Sequence, residues 1–151
     1  MSQSEKLKEN AVLRITSTQS ADGETERTEL DTKAKFEYSA EQTEITYYEV
    51  DELGRETCET VITILRDDLV TIRKTGFIST SMVLERGKSH PVQYISPFGT
   101  LEMLLCAQSI SGDFTETGGT LRMQYLIDIG DSYSARNTIE LRVSRREQPR
   151  Q

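Results

Sequence analysis

The feature that most constrains the fold is a series of short segments in which apolar and polar residues alternate. In residues 121–129 apolar side chains occupy every second position, and residues 10–19 show the same period of two. Because successive side chains of a β-strand point to opposite faces, this pattern predicts strands with one buried face. Turn signals separate the segments about every 8–12 residues, a spacing typical of a sandwich or a barrel. No helical period persists for three turns anywhere in the sequence.

The pattern predicts nine or ten strands. They cover residues 10–19, 24–38, 44–50, 57–65, 69–74, 80–86, 88–95, 100–110, 121–129 and 134–143. A hairpin turn is predicted at Ala21-Asp22-Gly23, between the first two strands. A helix is the competing interpretation of residues 24–38, which are rich in Thr and charge but poor in apolar residues. The Gly-containing segment 111–119 is interpreted as a hairpin loop.

Closing such a sheet on itself removes its exposed edges, and antiparallel hairpins make closure easy. We therefore predict an all-β fold, a closed antiparallel β-barrel of about 8–10 strands. A chain of 151 residues fits a single domain. The expected organisation is a flexible N-terminus over residues 1–9, one barrel domain over 10–144, and a flexible C-terminal tail over 145–151.

The charge and the cysteine content limit the partners and the cellular compartment that we expect. The chain has 25 acidic and 18 basic residues and a net charge of −7, which argues against non-specific binding to nucleic acid or anionic membranes. Cys58 and Cys106 stand far apart, and with one His they offer no metal-ligand spacing. We expect two free thiols in a cytoplasmic protein. The polar N-terminus and the short apolar run at 103–107 fit neither a signal peptide nor a membrane span.

Residues 74–110 contain a pattern of glycines, a proline and basic residues that resembles a known family. The residues that carry it are Lys74, Gly76, Met82, Leu84, Gly87, Lys88, Tyr94, Ser96, Pro97, Phe98 and Gly99. They resemble the YwiB-like family of small bacterial proteins. At Lys74, Ser96, Phe98 and Ala107 that family more often has Arg, Thr, Tyr and Thr. The resemblance implies a calycin (lipocalin-like) β-barrel, and it implies no activity.

No catalytic constellation is apparent in the sequence. The single His, His90, precedes Pro91 at an expected turn, and no nucleophile motif accompanies it. The acidic pairs Asp51-Glu52 and Asp67-Asp68 also fall in turns, where Asp is common. We therefore predict no catalytic residue, no metal ligand and no cofactor, and an enzyme is the least favoured class.

Two cations suggest a binding site instead. Lys74 and Arg86 each follow apolar residues at i−2 and i−4, so strand parity points both toward the interior. There they would hold an anionic group, with tyrosine hydroxyls beside them. The hypothesis comprises Lys74, Arg86, Tyr94, Tyr47 and Tyr125 as ligand-binding residues. The alternative is that each cation reaches water at a strand end and that the tyrosines only pack.

Two classes of function remain open. A barrel of this strand number can enclose one small molecule, so the first is a non-catalytic binder of a small, partly apolar or anionic ligand. The alternative is a filled barrel that serves as a scaffold and meets a protein partner. An empty interior would favour the first class, and an interior filled by Met and Leu would favour the second.

Four residues are interpreted as structural turn positions: Gly76, Gly87, Pro97 and Gly99. Pro fixes φ, and Gly supplies backbone conformations that a side chain would oppose. Because Gly99 lies at a tight corner and Gly118 in a predicted loop, we expect Gly99→Val to lower stability more than Gly118→Val.

Overall fold

The computed structural model describes residues 9–130 and 133–146. Every regular element in these residues is a β-strand. The strands are β1 (Ala11–Ala21), β2 (Glu24–Tyr38), β3 (Thr43–Val50), β4 (Glu56–Arg66), β5 (Leu69–Gly76), β6 (Ser79–Glu85), β7 (Ser89–Ser96), β8 (Gly99–Thr115), β9 (Gly118–Ile129) and β10 (Tyr133–Arg145). The ends that we predicted to be flexible lie mostly outside the described residues. Strand β10 reaches one residue beyond the predicted domain boundary.

Each strand pairs antiparallel with the next one along the chain, and β1 also pairs with β10. The ten strands therefore form a closed up-and-down barrel. The predicted fold class and strand number are confirmed. Residues 24–38 are a strand, so the helix interpretation is wrong: β2 pairs with β1 along almost its whole length, and that ladder outweighs the weak hydrophobicity.

The first hairpin shows how local sequence sets the register. Asp22 and Gly23 both have positive φ, 52° and 79°, as a two-residue type I′ turn requires. That turn places Ala21 opposite Glu24, and the same register continues along both strands to Ala11 opposite Ala34. The inward positions of β1 then become Ala11, Leu13 and Ile15, all of which are buried.

The predicted loop at 111–119 is wrong. Strand β8 continues through Thr115, the turn has only residues 116 and 117, and β9 begins at Gly118. The Ser, Gly and Asp residues that suggested a loop pair with β9, with Ser111 opposite Arg122 and Asp113 opposite Thr120. Cross-strand hydrogen bonding and the packing of Phe114 near Phe36 override a composition that favours loops.

The alternating turns define two ends of the barrel. We call the end that carries turns 22–23, 51–55, 77–78 and 97–98 the hollow end. The opposite end, with turns 39–42, 67–68, 86–88 and 116–117, is called the packed end. Phe36, Leu121 and Val143 are fully buried near the packed end. The Phe36 and Phe114 ring centroids lie 6.4 Å apart, and the Arg145 guanidinium covers Phe36 at 5.5 Å.

Both cysteines are free thiols. Cys58 is buried, and its sulfur accepts a hydrogen bond from the Ile78 backbone N–H at 3.4 Å. Cys106 is half-buried and pairs with Ser89. In the part of the chain that the structure describes, no helix is long and apolar enough to cross a membrane.

Candidate functional site

A cavity of about 440 Å³ occupies the hollow end of the barrel interior. Its apolar wall consists of Ile15, Leu30, Ile62, Ile72, Met82, Met103, Ile127 and Ile139. Its polar positions include Glu49, Lys74, Tyr47, Tyr94, Tyr125 and Asn137. Apolar walls with a few convergent polar groups are the usual composition of a small-molecule site.

The cavity exists because β2 and β3 separate toward the hollow end. They pair only through Lys35–Tyr38 and Thr43–Thr46. From Glu24 to Ala34, β2 pairs with β1 alone. Leu30 of β2 and Tyr47 of β3 therefore face an unfilled space between the two strands. The same barrel is closed and filled where the two strands meet.

An ion pair stands inside the cavity. The Lys74 ammonium lies 2.6 Å from Glu49 Oε2, and about 30% of each side chain is exposed, 28% for Lys74 and 31% for Glu49. The Thr60 hydroxyl donates to the same oxygen at 3.3 Å. Strand β4 joins the partners, since Thr60 pairs with Tyr47 on one side and Lys74 on the other. The pair is neutral as a unit.

Tyr47 belongs to the same polar cluster. Its side chain is buried, and burial together with the nearby Glu49 carboxylate raises the pKa of its phenol, while a hydrogen bond with Thr60 acts in the opposite direction. The phenol is therefore neutral at any physiological pH. Tyr47, Thr60, Glu49 and Lys74 form one connected network on the β3–β4–β5 wall.

Tyr125 lies on a different part of the wall and differs in its hydrogen bonding. Only 6% of Tyr125 is exposed, and burial raises its pKa to about 12. Its hydroxyl has no hydrogen-bond partner among the described residues. Every fully buried polar side-chain atom of these residues does have a partner, so the Tyr125 hydroxyl is not fully buried. The hydroxyl therefore opens onto the cavity. Asn137, directly opposite in the register, also lines the space.

Tyr94 marks the mouth of the cavity. It pairs with Thr80 on one side and Leu101 on the other, and it is 36% exposed. Beyond it, Phe77 and Phe98 stand on the two adjacent turns, with ring centroids 6.4 Å apart in an edge-to-face arrangement. Phe98 is 90% exposed. The rim of the hollow end is thus aromatic on this side.

The structure brings four of the five predicted ligand-binding residues to the cavity and leaves out Arg86. Lys74 pairs with Thr80, and Arg86 comes six residues after Thr80, directly beyond the end of β6. At about 3.3 Å per residue, that separation is about 20 Å. Arg86 lies at the packed end, is exposed, and donates its backbone N–H to Asp68 O at 3.0 Å. Parity predicts which face of the sheet a side chain occupies. It does not predict the end of the barrel at which the residue lies, because neighbouring strands run in opposite directions.

Sequence reasoning missed Glu49, the partner of Lys74. The signal was present, since Glu49 follows Ile45 and Tyr47 at alternate positions and parity places all three on one face. Asn137 was missed in the same way, two residues before Ile139 on β10. A polar residue on an otherwise apolar face was the pattern to look for.

The predicted turn residues lie at turns or strand ends. Gly76 ends β5 with φ +143°, and a Cβ there would collide with the carbonyl oxygen of Thr57. Gly87 lies in turn 86–88 and donates its N–H to Ala107 O at 2.9 Å. Pro97 lies between β7 and β8, and Gly99 begins β8. These residues shape the barrel ends rather than the cavity.

A larger concavity, about 1160 Å³, lies on the outer face of β1, β2, β9 and β10. It is open surface lined by exposed ion pairs such as Arg14–Asp31 and Arg122–Glu140. Exposed pairs of this kind contribute little and are common on solvated faces. Within the described residues no group of three or more His, Cys, Asp or Glu could hold a metal ion.

Comparisons with known proteins agree with the fold and assign no activity. A family profile described as a domain of unknown function, DUF1934, matches residues 13–141. The chain belongs to the DUF1934 family. The barrel is similar to the crystal structure of the ywiB protein from Bacillus subtilis, with a TM-score of 0.74, 23% identity, and coverage of 87% of this chain and 89% of that chain. That similarity supports the fold alone, and no curated protein matches the chain significantly.

Proposed function

We propose that this DUF1934 protein binds a small, partly apolar molecule in the hollow end of its barrel and does not transform it. The observation that carries the proposal is the cavity of about 440 Å³, which lies within the 300–1,000 Å³ range, roughly, of small-molecule sites. Apolar residues form most of its wall, and its polar groups cluster at a few points.

The binding hypothesis included an anionic group held by Lys74 and Arg86. The arrangement of charges argues against that part. Lys74 already contacts Glu49, and Arg86 lies at the other end of the barrel. An anion at Lys74 would place a second carboxylate beside Glu49, which like-charge repulsion disfavours. The apolar part of the hypothesis keeps its support from the cavity wall.

The alternative function was a filled barrel that acts as a scaffold for a protein partner. The packed end is filled, but the hollow end is not, and a filled barrel is what that alternative required. The exposed aromatic pair Phe77 and Phe98 is the observation that favours a surface role. Its position at the cavity mouth makes it equally part of a ligand entrance.

Uptake of N-phenyl-1-naphthylamine, an uncharged apolar fluorophore, tests the proposal directly. We expect saturable fluorescence enhancement with the wild-type protein, because the probe would enter the apolar cavity. Met103→Trp should weaken this uptake by about tenfold or more, because the larger indole would occupy part of the cavity that Met103 lines. A tenfold loss corresponds to about 1.4 kcal/mol of binding free energy. Native mass spectrometry of freshly purified protein would show a co-purified ligand as a defined extra mass.

A matched control lies next along the same strand. Met103 lines the cavity, whereas Leu104 points outward and is 43% exposed. Leu104→Trp should therefore bind the probe as the wild type does, and circular dichroism should show both variants folded. Equal loss in the two variants, or undiminished uptake by Met103→Trp, would overturn the proposal.

A further inference from the structure

We infer that the hollow end selects ligands that carry an amine, that is, a cationic ammonium group on an apolar body. This inference rests on the proposed function and specifies the chemical class of its ligand. It follows from three observations: the balance of charges around the cavity, the open acceptor groups inside it, and the tyrosines on its wall.

The charges around the cavity favour a cation. Among the described lining residues, the charged ones are Glu26, Glu29, Glu49 and Lys74, with a formal net charge of −2. Glu29 is paired outside the cavity with Arg27, at 2.8 Å. With Arg27 counted, the formal charge is still −1, and the exposed Glu26 carboxylate makes no ion pair or hydrogen bond within the described residues. An incoming ammonium would neutralise this excess, whereas a carboxylate would add to it.

Two open oxygens inside the cavity can accept hydrogen bonds. Both the ammonium of Lys74 and the hydroxyl of Thr60 contact Oε2 of Glu49, which leaves Oε1 without a described partner. The Tyr125 hydroxyl is a second open group, on a side chain that is more than nine-tenths buried. An ammonium group carries three N–H donors and no acceptor, so it can donate hydrogen bonds to both of these oxygens.

The aromatic side chains add to this preference. Tyr47, Tyr94 and Tyr125 all line the cavity. The face of a tyrosine ring attracts a cation held within about 6 Å of its centroid, and the attraction grows when the cation is shielded from water. Ile62, Ile72 and Ile127 supply an apolar surface for the rest of the ligand.

Three probes with one carbon skeleton test the inference on the wild-type protein. They are 3-phenylpropylamine, 3-phenyl-1-propanol and 3-phenylpropionate, measured at pH 7 by displacement of N-phenyl-1-naphthylamine. We expect the amine to bind about tenfold more tightly than the alcohol, and the carboxylate to bind most weakly.

The variant Lys74→Met distinguishes amine binding from anion binding, because the two predict opposite changes in ligand affinity. If the site holds an ammonium, removing Lys74 frees the Glu49 carboxylate, and amine affinity should rise severalfold. If the site holds an anion on Lys74, carboxylate affinity should disappear instead. Glu49→Gln and Tyr125→Phe should each weaken the amine but not the alcohol to the same extent. Glu102→Gln, an exposed carboxylate on β8, is the matched control and should change nothing.

The outcomes are distinguishable from failure of the proposed function. Equal affinity for the three probes, or tighter binding of the carboxylate, overturns the amine inference and leaves a small-molecule site in place. Failure of all three to displace a fluorophore that does bind also overturns it. Failure of the fluorophore itself to bind overturns the proposed function and the inference together. If Lys74→Met does not fold, the wild-type ranking still decides.

Discussion

The two ends of the barrel differ in where they place apolar side chains and charges. At the packed end, Phe36 and Leu121 fill the interior, and Glu85 stands outside with its cationic partners Arg66 and Lys88. At the hollow end, Glu49 and Lys74 stand inside the barrel, and Phe98 is almost fully exposed on the rim. One sheet thus encloses a filled hydrophobic core at one end and a cavity with an internal ion pair at the other.

This difference separates stability from binding along the barrel axis. Burial of apolar surface stabilises a fold in proportion to the area removed from water, so fully buried side chains such as Phe36 and Leu121 at the packed end contribute strongly to it. A charged pair in a half-open cavity contributes little to stability. The hollow end can therefore carry polar side chains without unfolding the barrel. Substitutions at the two ends should differ accordingly.

The largest expected contrast is between Phe36→Ala at the packed end and Met103→Ala at the hollow end. Phe36 is completely buried against Phe114 and Arg145, so its truncation should cost about 3–5 kcal/mol of unfolding free energy. Met103 is half-buried and already faces empty space, so its truncation should cost less than about 1.5 kcal/mol. Urea unfolding followed by circular dichroism measures both.

Equal costs for these two substitutions would mean that the hollow end is packed as tightly as the other end, and the contrast would fail. Leu104→Ala, on the outward face beside Met103, controls for effects of strand β8 itself. It should cost little, because the Leu104 side chain already meets water.

The contrast between the ends was only partly predictable from the sequence. Alternation of apolar residues located the strands, and Ala21-Asp22-Gly23 located the first turn, because side-chain parity and positive φ are local properties. Parity also assigned Lys74, Tyr47 and Tyr125 to the interior. What separates a cavity from a core is the spacing between β2 and β3, and this depends on the whole barrel. No local pattern encodes it.

Arg86 shows a different kind of error, one that the sequence could have prevented. Turn 77–78 joins β5 to β6, and Lys74 lies just before it. Hairpin pairing therefore fixes Lys74 near the turn and Arg86 just beyond the far end of β6. Counting residues from the turn would have separated the two cations. Glu49, in contrast, needed only the parity of Ile45 and Tyr47.

The second prediction compares two glycines at opposite ends and reverses our expectation from the sequence. Gly118 lies at the packed end with φ +140°, and a Cβ there would collide with the carbonyl oxygen of Val143. Gly99 lies at the hollow end with φ +129°, and a Cβ there would meet nothing within 4 Å. Both positions strain a side-chain-bearing residue, but only Gly118 adds a backbone collision. We expect Gly118→Val to cost upwards of about 1 kcal/mol more than Gly99→Val.

Thermal unfolding of the two valine variants, side by side, measures this difference. A lower melting temperature for Gly99→Val than for Gly118→Val would contradict the close approach of β9 to β10 at Val143. The expectation from the sequence was the opposite because segment 111–119 was interpreted as a loop with freedom to adjust. It is the paired end of a long hairpin instead.

The smallest expected effect concerns the charges outside the packed end. Glu85 contacts His90 at 3.2 Å and Lys88 at 3.3 Å. The hydrogen bond from His90, followed by that from Lys88, lowers the pKa of the Glu85 carboxyl below its ordinary value of 4.5. Because the folded-state pKa lies below the unfolded one, the ionised carboxylate stabilises the fold above the ordinary pKa. This contribution is lost as pH falls through the folded-state pKa.

Glu85→Gln should therefore lower the unfolding free energy at pH 6 and have a diminishing effect as the pH is lowered toward 3. Urea titrations at several pH values between these limits measure the difference between variant and wild type. Glu102→Gln, an exposed carboxylate on the outer face of β8 without a described partner, should follow the wild type throughout. A constant difference for Glu85→Gln at all pH values would assign its effect to packing, and the charges outside the packed end would then play no part in holding that end closed.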